Sequence, residues 1–389
     1  MPPVKDAETI NARANRLTVL KDMGLRPIAP DVDATLDILR ALIAFDTRNG
    51  TGNEVACVEW LADRLGAHAP DALVIETVSR SRDKPDSAFV LARWGAPKTL
   101  LNVHIDTVPS GEGWTADPLE LVERDGRAYG LGTSDIKGAA AAILGALETV
   151  TPKDVAVLLS GDEEHGSEVM PAVIARGHLD GIERAVVCEP TSCRVGRAHR
   201  GMLALSATFT GPGGHSSLAD IIEPPLLRAA EAAAKLGSYK REHLTFGTEP
   251  FKGLCVNIGD LEGDGAYNVI PTTARLWVSM RPPPGDDVSA RERDMRGMMD
   301  DAADIDTIVA FEPFASRDVT AFAPVFEADD IVDLPYWTEA AMMSQAGINT
   351  VVYGPGNLEQ AHRPDEYVEI AQLERAQTRY AAVLSGALS

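Results

Sequence analysis

An α/β body with a mostly parallel central sheet, interrupted by an inserted α+β domain, is the fold class that the sequence predicts. Three observations predict it. Short, continuous apolar runs (SAFVLARW, TLLNVHID, VAVLLSGD and RAVVCEP) read as strands buried on both faces. Helical patterns lie before and between them, as in AAAAILGALETV. From about Arg200 the pattern changes to half-buried strands, MLALSATFTG, CVNIGDLEG and TARLWVSMRP, with helices near PPLLRAAEAAAKLG and SARERDMRGMMDDAAD. Beyond about Phe314 the first style returns, with NTVVYGPG as a strand and EIAQLERAQTRYAAVLSGAL as a closing amphipathic helix.

At 389 residues the chain exceeds one average core, so more than one domain is expected. The expected division is residues 1–30 as an N-terminal extension, 31–198 and 314–389 as the two parts of the body, and 199–313 as the insert. In the extension Ile10, Leu17, Leu20 and Met23 recur at helical intervals, which suggests a short amphipathic arm. Asp31 to Ile43 and Glu54 to Leu65 follow as helices.

Composition removes several function classes. Thirty-six Lys and Arg stand against 58 Asp and Glu, a formal charge of −22, so nucleic acid and anionic membrane surfaces are not expected partners. No apolar run approaches the roughly 18 residues of a membrane span. Cys57, Cys188, Cys193 and Cys255 are scattered and form no Cys-x-x-Cys pair, which argues against a disulfide framework or thiolate zinc cage. The N-terminal stretch lacks the charged head and apolar core of a secretory signal, so a reducing cytoplasm is the expected location.

Acids and imidazoles collect at strand ends. In LLNVHIDTVP, His104 and Asp106 are two apart and project to one side, so that one can ligate a metal while the other supports it. YGLGTSDIKG places Asp135 in a Gly-rich turn ahead of a helix, where it is either an N-cap or a carboxylate able to bridge two cations. After VAVLLSG come Asp162, Glu163, Glu164 and His165; adjacent glutamates point apart, which suits Glu164 to a metal and Glu163 to a water as general base. Glu189 ends the strand RAVVC, and His362 sits in the turn-rich YGPGNLEQAHRPDEY. Each motif alone has an ordinary explanation as a surface pair, a cap or a solvated turn. Together they gather where open α/β sheets form sites. Three carboxylate ligands carry about −3 against about +4 for two divalent ions, leaving a small positive excess to activate water.

In this order, LLNVHIDTVP, YGLGTSDIKG, SGDEEHGS, VVCEPTS, GPGGHSS, YNVIP and YGPGNLEQAHRPDEY closely resemble the M20 family of metallopeptidases and amidohydrolases. Within it the chain is most similar to the deacetylase branch that acts on N-acetylornithine. The likeness runs from about Asp31 to the closing helix. It implies a zinc-peptidase-like catalytic domain with an inserted lid that often mediates homodimerisation. It further implies two divalent ions, zinc with cobalt as the alternative: one on His104, Glu189 and Asp135, the other on His362, Glu164 and the same Asp135. Glu163 would be the general base and Asp106 the carboxylate behind His104. His215 resembles a lid histidine that stabilises the oxyanion in a neighbouring subunit's site. Asn268, and Arg281 through a carboxylate grip, would contact substrate, and Glu339 in YWTEAAMMSQAG would sense a cationic side chain.

The implied reaction is hydrolysis of the amide of an N-acyl amino acid, such as N-acetylornithine in arginine biosynthesis, by a zinc-bridging hydroxide. Acetylcitrulline, succinyl-diaminopimelate and short dipeptides are the alternative substrates. From other classes, a catalytically silent metal-binding dimerisation module and a metal-independent serine hydrolase stand as alternatives. The latter is disfavoured because no G-x-S-x-G elbow is present.

Overall fold

The structure, a computed structural model, describes residues 31–50, 54–80, 84–327 and 330–389. The amphipathic arm expected within residues 1–30 lies outside these. Helix α1 (Val32–Ala44) begins at Asp31, whose carboxylate accepts a hydrogen bond from the Ala34 N–H at 3.2 Å, and buries Leu36, Leu39, Leu42 and Ile43. Helix α2 (Glu54–Gly66) buries Cys57, Val58, Leu61 and Leu65.

Strands β1 (Ala72–Val78), β2 (Ser87–Trp94) and β3 (Thr99–His104) precede a short hairpin of β4 (Val122–Arg124) and β5 (Arg127–Tyr129). Helix α3 (Lys137–Leu147), β6 (Val155–Ser160), helix α4 (Val169–Ala175), β7 (Arg184–Val187) and β8 (Val195–His199) follow. The inserted segment holds β9 (Met202–Thr210), β10 (Gly214–His215), helix α5 (Pro225–Glu242), β11 (Asn257–Gly263), β12 (Val269–Ile270), β13 (Thr273–Met280), helix α6 (Val288–Met298) and β14 (Asp304–Phe311). The chain ends with β15 (Phe314–Ala315), β16 (Ile331–Leu334), helix α7 (Ala340–Gln345), β17 (Asn349–Val352), β18 (Tyr367–Glu369) and helix α8 (Ile370–Leu384).

The large sheet runs β1-β2-β6-β3-β7-β17-β8-β15, with β16 paired to β8. Its middle, β6-β3-β7-β17, is parallel, and these strands read as unbroken apolar runs because helices cover both faces. Successive residues of β2 divide between two cores: Ala88, Val90 and Ala92 pack with α1, α2, α3 and α8, while Phe89 and Leu91 pack with α4 and α7. The flanking pairs β1-β2, β2-β6, β17-β8 and β8-β15 are antiparallel while β16 runs parallel to β8, so the sheet is mixed; β1 and β2 pair from Ala72↔Arg93 to Val78↔Ser87 across a short link that leaves no room for a crossover helix.

The insert forms its own antiparallel sheet, β11-β13-β9-β14. Alternation along β13 sends Ala274, Leu276, Val278 and Met280 into a core with Ala229, Ala232 and Leu236 of α5 and Met295 of α6. The opposite face carries Trp277, 40% exposed, and β11 is exposed along its whole length. The two links to the body run backbone against backbone: a Cβ on Gly201 would meet the Phe311 carbonyl oxygen at 2.5 Å. Among the described residues no helix is long and apolar enough to cross a membrane. All four cysteines are free, with Cys255 alone exposed.

Candidate metal centre

The parallel strands of the body deliver their last residues to one crevice. His104 ends β3, Glu163 and Glu164 lie just beyond β6, Glu189 lies just beyond β7, and Asp135 precedes α3. Asp135 does not cap that helix: the capping position is Ile136, which has no side-chain hydrogen bond, so the carboxylate is free to face the crevice. His362 arrives from the loop after β17 in the left-handed region, φ +60°, an arrangement costly for a residue with a Cβ. Asp162 also lies there, φ +72°, and its environment offsets the strain. Its carboxylate accepts from Arg80 Nη1 and the Glu168 N–H, both at 2.7 Å, and its carbonyl accepts from the Ser167 N–H at 2.7 Å.

Asp135 is the centre of the cluster. Its Oδ1 lies 3.3 Å from His104 Nε2, which is also 3.6 Å from Glu189 Oε1. Its Oδ2 lies 3.4 Å from His362 Nε2, which is 2.8 Å from Glu164 Oε1. The geometry thus makes two triads, His104–Asp135–Glu189 and Asp135–Glu164–His362, whose donor atoms lie within 4.8 Å of one another. Donors about 2.0–2.1 Å from a tetrahedral zinc ion stand about 3.3 Å apart along each edge, close to most of these separations. An imidazole with two carboxylates is a donor set that zinc accepts.

The supporting contacts fix the donors. His104 Nδ1 lies 3.1 Å from the Asp106 carbonyl oxygen and 3.3 Å from its Oδ1, which leaves Nε2 directed at the acids. Asp106, fully buried, also accepts from the N–H groups of Glu163 and Glu164, each at 3.1 Å, and from Asn49 Nδ2 at 3.0 Å. One carboxylate therefore orients the first histidine and the turn bearing both glutamates.

Electrostatics point to a shortage of positive charge. Burial, then Glu189, Glu164 and Glu339, lift Glu163 well above the ordinary carboxyl range, with His104 opposing. Burial and Asp135 push Glu164 up to about 7. Burial opposes a charged His104, yet Glu189, Asp106 and Asp135 raise it well above its usual value. Hydrogen bonds donated to the Asp135 and Glu164 carboxylates raise His362 to about 10. Buried glutamates raised in proton affinity, beside imidazoles raised by the acids and an Asp135 held low by those imidazoles, are the response of a site suited to added cations.

The predicted lid residues stand apart from these triads. His215, on β10, is exposed; its Nδ1 bonds Ser217, and β10 pairs with β12 so that His215 and Asn268 are neighbours, the Ser216 N–H donating to the Asn268 carbonyl at 3.1 Å. Arg281 follows β13 near the links to the body; it is half-buried, burial lowers its proton affinity, and no acid pairs with it among the described residues. Glu339, expected to meet substrate, is 1% exposed, its Oε1 lacks a hydrogen-bond partner, and burial pushes it up to about 8. Asn49, Arg80 and Glu366 are not among the residues that the sequence motifs single out. Only Glu366 lay within a quoted motif, and the other two are marked by three-dimensional contacts alone.

Residues 100–386 match the family described as Peptidase family M20/M25/M40. The chain is 35% identical over 361 residues to an N-acetyl-L-citrulline deacetylase of Xanthomonas campestris pv. campestris, covering 88% of this chain and 95% of that protein. It is 31% identical over 356 residues to an acetylornithine deacetylase of Proteus mirabilis, covering 86% and 90%. Its fold is similar to the crystal structure of a tripeptidase from Staphylococcus aureus, with a TM-score of 0.72 at 17% identity over 92% of this chain and 99% of that one. Matched over most of its length both to the family and to two relatives above 30% identity, the chain belongs to the M20/M25/M40 peptidase family as a deacetylase-like amidohydrolase.

Proposed function

We propose that this chain hydrolyses the amide bond of an N-acyl amino acid, most simply an N-acetyl one, at a pair of divalent cations, zinc or alternatively cobalt. The observation that carries the reading is Asp135, which presents one oxygen to His104 and the other to His362. His104, Asp135 and Glu189 would hold one ion and Asp135, Glu164 and His362 the other. When bound, such ions supply positive charge that acidifies water and polarises the acyl carbonyl.

Glu163 is the proposed general base. Its raised proton affinity suits a group that takes a proton from the attacking water and returns it to the departing amine. Asp106 keeps His104 in one tautomer and holds the Glu163 backbone. His215 would donate to the developing oxyanion and Asn268 would contact substrate beside it. Arg281, half-buried without an acid partner, would grip the substrate carboxylate through two parallel hydrogen bonds. The exposed β11 edge and the outer lid face support homodimerisation, through which His215 would reach the neighbouring site. Four free cysteines support a cytoplasmic setting.

N-acetylornithine is the first substrate to test, because an ammonium reaching the unpartnered Glu339 would form a desolvated ion pair. N-acetylcitrulline is a second reading with its own support: the chain is 35% identical to an N-acetyl-L-citrulline deacetylase, and a Glu339 carboxyl whose proton affinity is raised by burial suits a neutral ureido group. The test is amine release from a panel of acyl amino acids by protein of measured metal content. Turnover of acetylornithine or acetylcitrulline with two ions bound is expected. Absence of turnover across the panel in the two-ion protein would overturn the reading.

A further inference from the structure

A carboxylate outside both triads grips the turn that bears the shared aspartate. Glu366, four residues beyond His362, is 1% exposed. Its Oε1 accepts from the N–H groups of Ser134 at 2.8 Å and Asp135 at 2.9 Å, and its Oε2 accepts from the Gly132 N–H at 3.0 Å. Its own carbonyl accepts from the Gly130 N–H at 3.0 Å. Four amides of the 130–135 turn thus converge on one residue, and three of them, those of Gly132, Ser134 and Asp135, form a main-chain cradle for its carboxylate. The turn is tight where it does so: Gly132 has φ +82°, and a Cβ there would stand 2.8 Å from Thr107 Cγ2.

The consequence concerns geometry between distant segments. Asp135 and Glu366 are 231 residues apart, and Glu366 follows directly on the loop that supplies His362. We infer that Glu366 is a positioning residue for the shared carboxylate: by holding the backbone of Asp135 from the His362 loop, it sets Asp135 between the two histidines. The inference rests on the two-ion reading. The residue type matters, because three N–H donors meet two oxygens. A glutamine offers one oxygen, and its NH₂ would face an N–H in either orientation, leaving a buried donor without an acceptor.

The same loop has a second anchor that does not touch Asp135: the Thr115 N–H and hydroxyl donate to Asp365 Oδ1 at 2.9 and 3.0 Å. It supplies the control. Metal-stripped full-length protein is titrated with Co²⁺, read by visible absorption and by chelator competition, with circular dichroism reporting the fold. Glu366→Gln is expected to keep its fold and to bind the ions roughly 10–100-fold more weakly, the usual cost of altering a group that orients a ligand. Thr115→Val is expected to keep the affinity of the unaltered protein. Should Glu366→Gln not fold, Glu366→Asp, which keeps the charge but withdraws it by one methylene, is expected to show a smaller loss.

Unaltered affinity for both ions in a folded Glu366 variant would overturn the inference. So would an equal loss in Thr115→Val, which would indicate general loosening of the loop. Failure of the underlying reading is distinguishable, since protein with Glu366 intact would then take up no pair of ions, which would overturn both.

Discussion

The body and the lid treat their functional side chains in opposite ways. In the body, ligand candidates from five separate segments converge within a few ångströms and are mostly buried, and the turns bearing Glu164 and Asp135 are tied by main-chain hydrogen bonds to Asp106 and Glu366. In the lid, His215 and Asn268 are exposed and adjacent, and Arg281 is half-buried and unpaired by any described acid. One chain therefore brings together every side chain proposed to hold the ions, whereas the proposed substrate contacts of the lid would reach the site only by movement of the lid or from a second copy.

That comparison can be broken by removing what the body holds. Prolonged chelation should abolish amide hydrolysis, and zinc or cobalt should restore it; full activity in metal-free protein would remove the body's proposed role. Next in size, Glu163→Gln should lower kcat by roughly 10²–10⁴-fold, the usual worth of a general base, while metal analysis still finds two ions. Loss of metal together with activity would instead make Glu163 a ligand.

The lid predictions are smaller and sharpen the contrast. His215→Ala should lower kcat roughly 10²–10³-fold, as removal of an oxyanion donor does, with metal content unchanged. Mixing it with Glu163→Gln protein should recover activity if His215 crosses between copies; no recovery would confine the histidine to its own chain. Arg281→Lys should raise KM about tenfold with little change in kcat, because lysine cannot reproduce the two parallel hydrogen bonds of a guanidinium.

Much of this organisation was legible in the sequence because burial writes itself as composition. β3 and β6 lie in the parallel middle of the sheet, where both faces are covered, so TLLNVH and VAVLLS are unbroken apolar runs with an acid or imidazole at or just beyond the end. Strands with one wet face left a fainter mark. β14, DIDTIVAF, alternates exposed and half-buried residues at the lid edge, and β1 does much the same at the edge of the body. Neither is among the strands that the sequence pattern predicts. The supporting groups were less legible still. Arg80 meets Glu54 and Asp162 only after the chain folds, and its side chain is 1% exposed despite its charge. Glu366 looks like one more acid in a polar turn, and its partners are main-chain amides that no residue type records.

The central claim is that Asp135 is shared between two ions held by a single chain. Anomalous X-ray diffraction from crystals of the zinc-loaded protein tests it directly. Two peaks are expected in the body, about 3.5–4 Å apart, with one oxygen of Asp135 on each. A single peak, or two peaks with Asp135 bound to neither or to one alone, would contradict it.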